Sequence, residues 1–314
     1  MSLVVHHNRQ TSCSTRTMEL SPNSTTAGGS THKTQESLSI FSTLRYDPQL
    51  LQVPSGSMDH AGWNHKTTSP FYMLNYHRDR MLNAAVYFGW ERVVETLSGD
   101  EGLDLLATML TRAIASTPGI DQTSPVRLRV SFAGNDPSMN IEAWGSFSET
   151  TLENLFPRSL PSPHSDPTGE GSCQMPVKDA PYQVVLAAEK ISPSEWTHFK
   201  TSRRQMYDKA RQRAQIKLGD SKEVLMVNDT NGTIMEGSTT TPYFWRHGRW
   251  VTPPVSSEYD PESGSGGQDG TTRRWALQSG IACEEAIPVD SVVDGEECWL
   301  SNGARGFMFG RIKL

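Results

Sequence analysis

Apolar residues recur in steps of two in some stretches of the chain and in steps of three or four in others, which predicts a mixture of strands and helices. The clearest helix covers residues 73–88, and its apolar face includes Leu74, His77 and Met81. The other predicted helices are 103–116, 206–217 and 272–280. The predicted strands are 38–46, 126–132, 140–147, 182–188, 223–228, 240–245, 250–252, 282–289 and 297–301. Pro242, inside one of these strands, indicates a sheet edge, a bulge or a departure from the ladder.

Segments rich in Ser, Thr, Gly and Pro divide this pattern. Residues 1–36 are polar and predict a flexible tail, whereas 156–176 hold five prolines among Ser, Gly and Asp and predict a linker or long loop. The low hydrophobic fraction of 35% is consistent with unstructured sequence diluting a folded part. We therefore predict an α+β fold with a small domain over 37–155 and a larger domain over 177–314.

Composition narrows the function classes. The net charge of −6 comes from interspersed charges, with no basic excess of the kind that nucleic-acid binders show. No run of 18 apolar residues exists, so no membrane span is expected, and the first thirty residues lack the apolar core of a secretory signal. The four cysteines form no CxxC pair and have no metal-ligand spacing. We expect a cytoplasmic protein without a metal site.

Lys200 is the first candidate for chemistry. It lies two helical turns before Tyr207, with Arg203 and Arg204 between them, so a cationic and partly buried setting is expected. Such a setting lowers the pKa of a lysine and frees its amine to act as nucleophile and base. The alternative is an ordinary surface lysine at the start of a helix.

Glu236 is the second candidate. A turn over residues 229–232 precedes it, and two strand steps place Ile234 and Glu236 on the same face, which indicates a buried acid in need of a partner. A protonated pyridine nitrogen would serve as that partner, and so would a buried arginine. Lysine and carboxylate together are the two groups that a pyridoxal phosphate enzyme requires.

Three further motifs could bind an anion. Arg80 shares a helix face with His77, and its guanidinium either grips an anion or extends past the apolar face to solvent. The run Gly270-Thr271-Thr272-Arg273 directly precedes a predicted helix, whose free N–H groups can bind a phosphate, although an ordinary Thr cap is the alternative. The turn at residues 301–306 could add a second phosphate loop or could be a simple turn.

The order of these motifs along the chain resembles fold-type IV pyridoxal phosphate enzymes, the superfamily of branched-chain and D-amino acid transaminases. The resemblance covers residue 40 to the C-terminus. It implies a small N-terminal domain, a larger pseudo-barrel domain, pyridoxal 5'-phosphate as the cofactor and a homodimer. It also implies that Lys200 holds the cofactor covalently, that Glu236 faces the pyridine nitrogen, and that the phosphate is bound by Arg80, Thr271, Thr272 and Gly303.

Within the superfamily, the segments 43–48, 76–80 and 200–207 and the closing turn look most like aminodeoxychorismate lyases of the fungal type. That likeness implies conversion of 4-amino-4-deoxychorismate to 4-aminobenzoate and pyruvate, with Lys200 as the base that removes the C4 proton. The substrate carries two carboxylates, and we expect Arg45 and Arg305, with Tyr207, to contact it. A transaminase of the same fold and a non-catalytic interaction protein are the alternatives.

The chain departs from the family pattern at two places. Thr241-Pro242 stands where the family commonly has Asn and an aliphatic residue, and Gly303 offers only its N–H where a threonine hydroxyl is common. A competing motif, His65-Lys66-Thr67-Thr68, resembles a cofactor-lysine motif locally. We reject it because it precedes the arginine helix and no Glu follows at a useful distance.

Overall fold

The computed structural model describes residues 38–53, 68–145, 147, 150–165, 175–217, 219–260, 263 and 266–314. The predicted tail over 1–36, the Lys66 motif and part of the 156–176 segment lie outside these residues. The predicted α+β fold is confirmed, since two sheets with flanking helices form the structure. The domain boundaries stay predictions.

The N-terminal part is an antiparallel sheet of three strands covered by helices. The strands are β1 (Ser39–Tyr46), β2 (Val126–Ala133) and β3 (Asn140–Trp144), in that order across the sheet. The helices are α1 (Leu74–Tyr87), α2 (Glu91–Leu97) and α3 (Gly99–Ser116). Alternate residues of β2 point to one buried face, and the apolar stripe of α3 packs in the same core.

The C-terminal part is an eight-stranded mixed sheet in the order β6-β5-β4-β11-β10-β7-β8-β9. Its strands are β4 (Tyr182–Leu186), β5 (Lys222–Val227), β6 (Ile234–Gly237), β7 (Thr241–Arg246), β8 (Arg249–Thr252), β9 (Cys283–Glu284), β10 (Glu297–Asn302) and β11 (Gly306–Ile312). The helices α4 (Leu152–Leu155), α5 (Glu195–His198), α6 (Gln205–Arg213) and α7 (Thr271–Gln278) complete the fold, with 3-10 turns at Pro48–Gln52 and Val289–Ser291.

This sheet has to curl. β6 and β7 are five strand spacings apart in the sheet order, which is about 24 Å in a flat sheet at about 4.8 Å per spacing. Only residues 238–240 connect them, and four extended Cα steps reach about 14 Å at most. The sheet therefore bends into a half-barrel, which brings β6 close enough to β7 for the short turn at 238–240 to join them.

Several predicted elements need correction. β11 and α2 were not predicted, and the strand expected over 282–289 is reduced to Cys283–Glu284, because Pro288 lacks an N–H and begins a 3-10 turn. β11 escapes the pattern because it contains Gly306 and Gly310; at Gly310, a Cβ would lie 3.0 Å from Val184 Cγ2. Of the three possibilities that Pro242 indicated, the sheet edge is excluded, since β7 lies between β10 and β8.

Pro242 avoids conflict with the β8 ladder by its position. The first pair between β7 and β8 starts beyond it, at Phe244 and Val251. The Pro242 carbonyl accepts a hydrogen bond from the Thr252 hydroxyl at 2.9 Å. A proline is thus accommodated at the start of an interior strand.

Candidate functional site

Lys200 lies between the two sheets. Its main-chain carbonyl accepts a hydrogen bond from Phe41 N of β1 at 3.0 Å, and its Nζ lies 5.2 Å from the Phe41 ring centroid. The side chain is partly buried. Burial holds the pKa of Lys200 well below its usual value, and the neighbouring guanidinium groups of Arg80 and Arg204 act in the same direction, while Glu236 opposes them.

Glu236 is buried on β6, directly opposite Met226 of β5. Its Oε1 accepts a hydrogen bond from the Tyr207 hydroxyl, and its Oε2 accepts one from Gln268 N at 3.4 Å. Burial raises the pKa of Glu236 to about 7, although the Tyr207 bond and the nearby ammonium of Lys200 lower it. Among the described residues, its hydrogen bonds go to a phenol and an amide rather than to the buried arginine considered as an alternative.

Tyr207 is not among the residues that line the cleft next to Lys200 and Glu236. It is 1% exposed on α6, and its hydroxyl points to Glu236. Burial and the adjacent carboxylate raise the pKa of Tyr207 well above its usual value, so it stays a neutral donor. The structure therefore connects Tyr207 to the predicted cofactor carboxylate, whereas the sequence suggested a substrate contact.

Arg80 is anchored by a hydrogen-bonded relay. Its Nη2 donates to Ser42 Oγ at 2.6 Å, and Ser42 Oγ lies 2.7 Å from His77 Nδ1. Burial first, and the Arg80 charge second, hold the pKa of His77 well below its usual value. Arg80 Nε and His77 Nε2 are buried without a hydrogen-bond partner in the described part of the chain.

The start of α7 faces the same space. Thr271 Oγ1 is a third buried polar atom without a partner among the described residues. Thr272 Oγ1 lies 2.7 Å from Ser301 Oγ. A Cβ added at Gly303 would come within 2.5 Å of Thr271 Oγ1 and 2.6 Å of His77 Nε2, so only glycine fits there. The first N–H groups of a helix have no intrahelical partner, and they complete a set of donors suited to an anion.

A cleft of about 280 Å³ joins these groups. Lys200, Glu236 and Arg80 line it, and so do several further cationic side chains. The cationic residues of the cleft outside the Lys200 and Arg80 region are Arg127, Arg129, Arg204, Arg211, Lys222 and Arg305.

Two of these arginines come from neighbouring outward positions of β2. The Arg127 guanidinium lies 4.4 Å from the Trp144 ring centroid, and that of Arg129 lies 4.0 Å from the Phe41 ring centroid. Arg129 Nε has no hydrogen-bond partner in the described chain. Sequence reasoning missed both, although two arginines alternating with buried residues on one strand were a usable signal.

The structure does not bring Arg45 to this cleft. Arg45 is 0% exposed and forms an ion pair with Asp47 at 2.8 Å. Arg305 does line the cleft, as the sequence suggested. Arg127 and Arg129, unlike Arg45, line the cleft.

Two kinds of feature are absent from the described residues. No helix among them is both long enough and apolar enough to cross a membrane. Within the same residues, no cluster of three or more His, Cys, Asp or Glu side chains has the arrangement of a metal site.

A half-barrel sheet packed beside a small α+β unit, with lysine and glutamate on one cleft, is the architecture of the class IV aminotransferases. Residues 62–311 match the family model described as amino-transferase class IV. The chain belongs to this family, whose enzymes depend on pyridoxal phosphate.

Individual proteins similar to this chain carry the names of different enzymes. The chain is 29% identical over 143 residues to aminodeoxychorismate lyase of Saccharomyces cerevisiae; the match covers 42% of the chain but only 37% of that relative. A Legionella pneumophila protein provisionally named 4-amino-4-deoxychorismate lyase has a TM-score of 0.55 at 12% identity, over 87% of this chain and 82% of that one. A branched-chain aminotransferase of Thermoproteus uzoniensis has a TM-score of 0.54 at 16% identity, over 88% and 78%. The two structures share the fold.

Proposed function

We propose that this protein is a pyridoxal phosphate-dependent lyase that converts 4-amino-4-deoxychorismate to 4-aminobenzoate and pyruvate. The observation that carries the proposal is the cationic cleft wall formed by Arg127, Arg129 and Arg305, beside Lys200 and Glu236. A substrate with two carboxylates requires such a wall, whereas an aliphatic amino-acid side chain favours an apolar one.

The residues present fit the cofactor. Arg80, the start of α7 at Thr271 and Thr272, and the Gly303 N–H would hold its phosphate. The fit is supported by two buried polar atoms, Arg80 Nε and Thr271 Oγ1, which have no hydrogen-bond partner among the described residues. Buried donors are costly when unsatisfied, and an anion would satisfy them.

The pyridine ring would lie between Lys200 and Glu236. Glu236 accepts from Tyr207 and from Gln268 N, which fixes its carboxylate in place to face a protonated ring nitrogen. When bound, pyridoxal phosphate would make the C4 proton of the substrate acidic by delocalising the electron pair that remains.

Lys200 would then move the protons. Its lowered pKa favours the neutral amine form of Nζ, which can take the proton from C4. The bond between C3 and the enolpyruvyl oxygen breaks, and that fragment gains the proton to become pyruvate. The ring becomes aromatic as 4-aminobenzoate, and no oxidant or second substrate is consumed.

The arginines would orient the substrate. The guanidinium of Arg129 is stacked on Phe41 and that of Arg127 on Trp144, so each is held in one plane before a carboxylate arrives. Preorganised charge of this kind reduces the ordering that binding would otherwise require.

Product analysis tests the proposal. The protein, loaded with pyridoxal phosphate, is incubated with aminodeoxychorismate, and 4-aminobenzoate and pyruvate are measured in equal amounts. Lys200→Ala should remove both the products and the visible absorbance of covalently bound cofactor. Absence of 4-aminobenzoate from the unaltered protein would refute the lyase proposal.

A transaminase is the second candidate, supported by the likeness to the branched-chain aminotransferase structure. It would transfer the amino group to a keto acid and would yield no pyruvate from aminodeoxychorismate. A non-catalytic role is less well supported, because Lys200 and Glu236 are both present on the cleft. We also propose a homodimer, on the family resemblance, which sedimentation of the loaded protein would test.

A further inference from the structure

A buried carboxylate that the reaction does not use lines the cleft beside the turn between β6 and β7. Glu223 of β5 is 1% exposed. Its Oε1 accepts from the main-chain N–H of Ser238 at 3.1 Å and from the Ser238 hydroxyl. Its Oε2 accepts from Thr239 N at 3.2 Å, from Thr239 Oγ1 at 2.8 Å and from Thr240 Oγ1 at 2.9 Å. One carboxylate thus holds every residue of the turn between β6 and β7.

The donors around Glu223 compensate the burial of its charge. Burying a carboxylate is costly unless donors surround it. A carboxylate offers only acceptors, and every contact from the turn is a donor. The cationic Arg211 Nη1 lies 3.8 Å from Glu223 Oε1 and donates to Ser238 Oγ at 3.0 Å. Glutamine at position 223 would have to turn an NH2 group against these donors.

The held turn is part of the cleft surface. Residues 238–240 line the cleft, and the Ser238 carbonyl accepts from Arg204 Nη2 at 3.2 Å. Arg204 also stacks over the Tyr207 ring, 5.1 Å from its centroid. A shift of the turn would therefore move a guanidinium that belongs to the cationic wall.

We propose that Glu223 is a positioning residue that fixes the turn 238–240, and through it Arg204, in the shape that admits an anionic substrate. The inference rests on the proposed function only in taking this cleft as the substrate site. It assigns to Glu223 an effect on substrate selection, whereas cofactor binding belongs to Arg80 and the start of α7.

The chain contains a matched control. Glu297 of β10 is also a buried carboxylate of the same sheet, 7% exposed, and it pairs with Lys178 at 2.8 Å and Arg311 at 3.1 Å. It does not line the cleft. Glu297→Gln should therefore lower stability in the way that losing any buried ion pair does, without a change in substrate selection.

The test uses the loaded enzyme. A panel of amines, including aminodeoxychorismate and branched-chain amino acids, is first screened with the unaltered protein by the change in cofactor absorbance. KM and kcat are then measured for the reactive amines with Glu223→Gln and Glu297→Gln. We expect Glu223→Gln to keep the bound-cofactor spectrum and to raise the KM of the anionic substrate about tenfold, with a smaller change in kcat.

Three results would overturn the proposal. They are an unchanged KM in Glu223→Gln, a KM change equal to that in Glu297→Gln, and a loss confined to kcat. If Glu223→Gln fails to fold, Thr239→Val removes one hydroxyl donor from an exposed residue; it should raise KM about threefold, and an unchanged KM would overturn the proposal. If another amine reacts but no 4-aminobenzoate forms, the lyase function fails, while the same KM comparison still tests Glu223 with that amine.

Discussion

The hydrogen bond between Tyr207 and Glu236 should become more important as the pH rises. Removing the hydroxyl with Tyr207→Phe leaves the ring, and its stacking with Arg204, in place. When Glu236 is protonated the lost bond joins two neutral groups and is worth about 1 kcal/mol, whereas a bond to the charged carboxylate is worth about 1.5–3 kcal/mol. The difference of roughly 1 kcal/mol corresponds to a further rise of less than about one unit in the pKa of Glu236.

The direction of this pH dependence follows from the raised pKa of Glu236. Burial raises the folded-state pKa of Glu236 to about 7 from its usual 4.5, so the stability linked to this group is present below the unfolded value and is lost as the pH rises through the folded value. In Tyr207→Phe that loss should extend to higher pH. Urea denaturation of the cofactor-free protein at about pH 5 and about pH 8 would measure it.

Tyr72→Phe provides the comparison. Tyr72 is also a buried tyrosine, but its hydroxyl donates to the neutral carbonyl of Leu155. Its loss should cost about 1 kcal/mol at both pH values. A stability cost for Tyr207→Phe that is equal at the two pH values, or that falls as the pH rises, would refute the reasoning.

Other substitutions test the anion site and the cleft wall. Gly303→Ala would place a Cβ against His77 and Thr271. It should lower the free energy of unfolding by about 1–3 kcal/mol, as measured by thermal denaturation, and should weaken cofactor binding. Unchanged stability would mean that the turn can accommodate the Cβ. Arg80→Gln should weaken binding of pyridoxal phosphate about 10- to 150-fold but leave binding of unphosphorylated pyridoxal nearly unchanged, as measured by fluorescence titration; equal losses would contradict a phosphate role. Arg129→Gln should raise the KM of a dicarboxylate substrate about tenfold without loss of the cofactor spectrum, and an unchanged KM would remove Arg129 from the substrate site.

Local pattern was sufficient where a residue's role depends on its own element. The helix bearing Arg80 and the turn before Glu236 were predicted because their periodicity and breakers are contained in short stretches. β11 could not be recovered in this way, because Gly306 is required by packing against Asn154 and Gly310 by packing against Val184, residues far away in sequence.

The cleft wall was harder to predict for the same reason. Arg45 and Arg129 lie on the neighbouring strands β1 and β2. In the ladder, Arg45 is opposite Arg127 and Arg129 is opposite Thr43. Which of them faces the cleft depends on the presence of Asp47, which pairs with Arg45 and buries it. Glu223 gave no signal at all, since its role exists only once β5 and β6 have paired and placed the 238–240 turn beside it.

The short turn at residues 238–240 limits the separation of β6 and β7, the two strands that it joins. In an ordinary hairpin an added residue bulges outward and leaves the strands where they were. Here the connection joins β6 to β7, which are five strand spacings apart in the sheet order, so its length limits how far apart these two strands stand. An inserted residue would lengthen the connection between β6 and β7 by about 3.5 Å, enough to change which molecules the cleft admits. Relatives of this chain could therefore differ in substrate size through the length of one loop, with all their catalytic residues unchanged.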